Sequence, residues 1–73
     1  MRKHPTPEEI RAAREKTGLT PPKAAALVYV DRTTWTRAET GQRKMHPAIF
    51  ELFLIKTGQK HLDYRVDGHA DNT

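Results

Sequence analysis

Helix punctuation constrains this chain more than any other feature of its sequence. Thr6-Pro7-Glu8-Glu9, Thr20-Pro21-Pro22, Asp31 and Pro47 each offer a helix start, and Gly18, Gly41 and Gly58 each offer a stop. Thr6 can cap, Pro7 suits the first turn, and Glu9 stands where it completes a capping box with Thr6. The prolines after Thr20 fall where a backbone N–H has no acceptor within the helix, so their missing donors cost little there. These signals predict four helices: Pro7 to Thr17, a second opened by Pro21-Pro22, a third from the Asp31 cap to Gly41, and a fourth from Pro47 to a stop at Gly58. The fold class they imply is all-α, a four-helix bundle with short connections.

The apolar positions assign faces to those helices. Ile10, Ala13 and Thr17 share one side of the first, while Arg11, Glu15 and Lys16 point elsewhere. Ala24, Ala25, Leu27 and Val28 form the apolar face of the second, and its small residues let a neighbouring backbone come close. In the third, Trp35 and Ala38 face inward, which turns Arg32, Thr33, Thr36 and Arg37 outward. Trp35 must anchor so small a core and is expected against Leu27, Val30 and the fourth helix. That helix carries Ile49, Phe50, Leu52, Phe53, Leu54 and Ile55 around nearly its whole circumference, interrupted mainly by Glu51 and Lys56. One side can pack on the other helices; Ile49, Phe50, Phe53 and Leu54 are expected to meet a partner.

Composition narrows the function classes. A chain of 73 residues has room for one small core, and with no Cys neither a disulfide framework nor a thiolate zinc site can hold it. No apolar run approaches the roughly 20 residues of a membrane span, and Met1-Arg2-Lys3-His4-Pro5 lacks a signal peptide's apolar stretch, so a cytoplasmic protein is expected. The charge is uneven: residues 1–45 hold ten Lys/Arg against five Asp/Glu, and residues 46–73 hold three against four. A basic section of that kind suits phosphate or an acidic protein surface. Ser is also absent, the four histidines lack compact ligand spacing, and no Gly-rich phosphate loop occurs, so no catalytic group, metal or cofactor is expected and the chain does not read as an enzyme. The organisation read from these patterns is a flexible basic N-terminal arm over residues 1–5, a helical domain over 6–58, and a polar tail over 59–73. In the tail Leu62, Tyr64 and Val66 alternate with polar residues, as in a disordered segment or an isolated strand seeking a partner edge.

From Arg14 through Leu19-Thr20, Ala25, Val30 and Asp31 to Glu39-x-Gly41, the sequence resembles the XRE, or lambda-repressor-like, helix-turn-helix family. The resemblance spans roughly Glu8 to Gly58. Small Aca-like regulators of phages and mobile elements look similar over Arg32-Thr33-Thr34-Trp35 and Lys44-Met45-His46-Pro47. The family likeness implies a helix-turn-helix core and an ion pair between Arg14 and Glu39. It also implies a recognition helix in the major groove, with Arg32 or Arg37 reading guanine and the Thr33 and Thr36 methyls near thymine. Thr40, Arg43 and Lys44 would hold phosphate.

Four residues depart from the family pattern. Pro21 replaces a Gln that often meets phosphate, Tyr29 occupies the elbow where Gly usually adopts positive φ, Ala38 replaces an aromatic or Leu, and Asp31 puts a negative charge near the DNA-facing end. Two readings therefore stay open. One is a phage or mobile-element repressor binding double-stranded DNA as a homodimer; the other is a regulator on the same scaffold that binds host RNA polymerase and inhibits initiation or alters termination.

Overall fold

A computed structural model describes residues 4–60 of the chain. Over them run α1 (Pro7–Thr17), α2 (Pro21–Leu27), α3 (Arg32–Thr40) and α4 (Pro47–Lys56), in the order and nearly at the limits that the start and stop signals predict. Residues 61–73, where the alternating tail was placed, lie outside the described residues.

Each helix begins on a cap. Thr6 Oγ1 accepts from the Glu9 amide at 3.1 Å while Glu9 Oε1 accepts from the Thr6 amide at 2.9 Å, the reciprocal capping box expected of this tetrad. Thr20 accepts from Lys23 N, and Asp31 Oδ1 accepts from Thr34 N at 3.1 Å. The cap of α4 is His46, whose Nδ1 accepts from Ala48 N at 3.0 Å; Pro47 follows it at the first helical position. Pro7, Pro21 and Pro47 thus stand where no intrahelical acceptor is available to any residue.

The ends of the helices show why one departure from the family pattern is tolerated. Tyr29 has φ +65°, the left-handed conformation that glycine ordinarily supplies after a helix. Across it Val30 N donates to Ala25 O at 3.1 Å, as Gln42 N donates to Arg37 O across Gly41 at 2.9 Å. Both are Schellman closures, which satisfy carbonyls left over at the helix end. The elbow between α2 and α3 keeps the geometry of a glycine turn with a tyrosine in it.

The core draws on every helix: Ile10 and Ala13 of α1, Ala24 and Ala25 of α2 with Val28 just beyond it, Trp35 and Ala38 of α3, Phe53 of α4, and Met45 from the α3–α4 loop. Trp35 and Phe53 are both fully buried, with ring centroids 5.0 Å apart and planes tilted by 54°. That tilted contact adds roughly 0.5–1.5 kcal/mol beyond simple burial. Leu27 and Val30 are half-buried against the same cluster.

The apolar circumference of α4 is divided differently from the sequence expectation. Phe53 is inside the core, so it cannot face a partner; Ile49, Phe50 and Leu54 are half-buried. Neighbouring side chains cover part of every large apolar group on the helix. Tyr29 is the exposed large hydrophobic residue among those described.

Candidate nucleic-acid interface

The candidate surface is built on α3 and the turn that follows it. With Trp35 and Ala38 buried, the helix can only present its other side to solvent, and Arg32, Thr33, Thr36, Arg37 and Thr40 are all exposed there. Arg43 and Lys44 follow in the turn and are exposed as well. The chain folds back at Gly41, where the amides of Gln42 and Arg43 both donate to Arg37 O, so the two cations of the turn stay next to the end of the helix. Among the described residues, no carboxylate forms an ion pair with Arg32, Arg37, Arg43 or Lys44. The cationic heads of this surface are therefore available to an external anion.

Behind that surface lies a polar brace. Arg14 sets Nε and Nη2 on the two carboxylate oxygens of Glu39, the second contact at 3.1 Å, and its Nη1 donates to Leu19 O at 3.0 Å. Trp35 Nε1 donates to Glu39 Oε2. Arg14 and Glu39 together thus join α1, the α1–α2 loop and the buried indole of α3, at side-chain exposures of 16% for Arg14 and 10% for Glu39. Burial would raise the Glu39 pKa, but the Arg14 and Trp35 hydrogen bonds and the arginine charge overcome it and hold the group below its ordinary range. The same hydrogen bond raises Arg14. The fork matches the carboxylate in a way a lysine would not.

Asp31 and Pro21 have local structural roles. The Asp31 carboxylate is held below the usual range first by its hydrogen bonds from Thr34 and also by the nearby Arg43 charge. It is committed to the first turn of α3, where a negative charge also complements the helix dipole. Pro21 opens α2 at its first position.

Two contacts around the interface join residues too far apart for sequence spacing to show. Lys56 Nζ donates to Leu27 O and to the Tyr29 hydroxyl, each at 2.9 Å, and lies 4.2 Å from the centre of the Tyr29 ring. The hydrogen bond and charge of Lys56 pull the Tyr29 hydroxyl below the usual tyrosine range. The end of α4 is thereby fastened to the elbow that sets α3 against α2. At the other side of the domain His4 Nδ1 is bonded to Met45 O at 2.9 Å, so the last part of the expected arm rests on the α3–α4 loop. Lys23, exposed on α2, is a further cation that the family pattern did not single out.

Helix α3, braced from behind by α1 and α2 and carrying an exposed basic face, follows α2 through a left-handed elbow. The sequence matches the helix-turn-helix domain family over residues 8–54, from the first turn of α1 into α4. The chain belongs to that family, in its XRE-like form. No curated protein matches the sequence. Membership places this helix-turn-helix domain in the class of DNA-binding transcription regulators, with α2 and α3 as its two motif helices. No helix among the described residues is long and apolar enough to cross a membrane.

Proposed function

We propose that this helix-turn-helix domain is a sequence-specific DNA-binding repressor encoded by a phage or mobile element, acting by occupying an operator and excluding RNA polymerase. The observation that carries the reading is the exposed face of α3: Arg32, Thr33, Thr36 and Arg37 together on one side, with Trp35 and Ala38 buried behind them. Arg32 and Arg37 have the fork that pairs with guanine O6 and N7, and the two threonines carry methyls that suit thymine. Thr40, Arg43 and Lys44, at and beyond the C-terminal end of the helix, grip phosphate and fix the register. The proposed source rests on the resemblance of Arg32-Thr33-Thr34-Trp35 and Lys44-Met45-His46-Pro47 to small Aca-like regulators.

A homodimer on an inverted repeat suits this scaffold, with the half-buried Ile49, Phe50 and Leu54 of α4 as its seam. The residues that set the polymerase-binding reading apart, Pro21, Tyr29 and Asp31, serve as a helix opening, a left-handed elbow and a helix cap. Those roles are compatible with DNA binding.

Selection from a random double-stranded pool tests the proposal. Enrichment of one motif, repeated in inverted orientation, is expected. Recovery of polymerase subunits from nuclease-treated host lysate, with no motif enriched from the pool, would reject the repressor in favour of a polymerase-binding regulator.

A further inference from the structure

A hollow of about 370 Å³ opens between α3, the α3–α4 loop and the start of α4. Val30, Met45 and Ile49 give it an apolar floor, and Arg43, Lys44 and His4 stand around it. A second hollow, of about 460 Å³, shares His4, Ala38, Arg43 and Lys44 with the first and continues towards Pro5 and Pro7. No described carboxylate lines either of them.

We propose that this pair of hollows is a binding site for a small organic anion with an apolar body, an aromatic or branched carboxylate being the simplest case. Charge selects the ligand class: the cationic side chains of Arg43 and Lys44 line the space with the imidazoles of His4 and His46, and Asp31 is not among the lining residues. The floor excludes a bare phosphate as the best occupant, because a phosphate gains nothing from Val30, Met45 and Ile49 and leaves their surface wet. His4 donates its Nδ1–H to Met45 O, which holds its ring at the rim of the space. The volume lies within the range of small-molecule sites.

The site goes beyond the DNA reading and deepens it at one point. Arg43 and Lys44 are the residues assigned to phosphate there, so a bound carboxylate draws on the charges that grip the operator. Occupancy then weakens DNA binding by competition, and by linkage DNA weakens ligand binding by the same factor. Only this consequence rests on the repressor reading; ligand binding itself does not.

The test uses the full chain without DNA, phenylacetate as probe, and phenylacetamide and inorganic phosphate as controls, followed by amide shifts in NMR titrations. Phenylacetate is expected to shift Met45, Ala38 and Ile49 saturably, with the neutral amide weaker by about tenfold or more, equivalent to about 1.4 kcal/mol. Phosphate is expected to shift Arg43 and Lys44 without the floor residues. Arg43→Gln with Lys44→Gln, both at exposed positions, should abolish the difference between acid and amide. Equal binding of acid and amide overturns the proposal, as does no saturable shift up to about 10 mM, or phosphate moving the floor as strongly as phenylacetate. On DNA selected by the chain, phenylacetate should raise the apparent Kd. If no DNA is selected, the repressor reading fails while the titrations still decide the site.

Discussion

Glu39 accepts hydrogen bonds from Arg14 and from the buried indole of Trp35, so its removal leaves a confined guanidinium without its counter-charge. Glu39→Gln is expected to destabilise the domain by about 3 kcal/mol, read from urea unfolding at neutral pH. The pH dependence has a definite sign. The folded carboxyl titrates below the unfolded one, so its stabilisation is complete above the ordinary glutamate range near 4.3 and is lost as pH falls through the folded value. The gap between wild type and Glu39→Gln should therefore close on acidification; a constant gap would show that the carboxylate charge does not stabilise the fold. Tyr29 offers a second test, since its φ of +65° suits glycine better than alanine. Tyr29→Gly should melt above Tyr29→Ala, and both should lose the contact with Lys56. The reverse order of melting temperatures would contradict a left-handed elbow.

Packing of α3 depends on one large side chain. Trp35→Ala should cost about 3–5 kcal/mol and unfold most of the population, seen as loss of helical circular dichroism. Trp35→Phe keeps an aromatic ring beside Phe53 while removing the donor to Glu39 and part of the buried ring volume, so it should fold with a smaller loss than Trp35→Ala. Helix limits were legible in the sequence because caps, prolines and glycines act within a few residues of one another, as at Thr6-Pro7 and Gly18. The faces of α1 and α3 were legible because polar residues mark the outside. The face of α4 was not: almost every position is apolar, periodicity carries no contrast, and Phe53 was given to a partner when it belongs to the core. The likeness to the family placed Arg14 near Glu39. Nothing comparable pointed to Lys56 beside Tyr29 or His4 beside Met45, which depend on tertiary packing between residues distant in sequence.

At the scale of the whole domain, the core and the Glu39 brace lie on one side of α3 and the exposed cations lie on the other. Stability and recognition are therefore expected to respond to different substitutions. Lys44→Ala should leave the fold intact, weaken binding evenly across DNA sequences, and lower the slope of log K against log salt by about one phosphate contact. The most direct measurement is equilibrium binding of wild type and Arg37→Ala to the selected operator and to its single base-pair variants, at several salt concentrations. If α3 reads bases, wild type discriminates among the variants, and Arg37→Ala loses about 1–3 kcal/mol on the operator and becomes indifferent at one base pair. A wild-type protein that binds every sequence alike, or an Arg37→Ala protein that keeps the full discrimination pattern, would contradict base reading through that arginine.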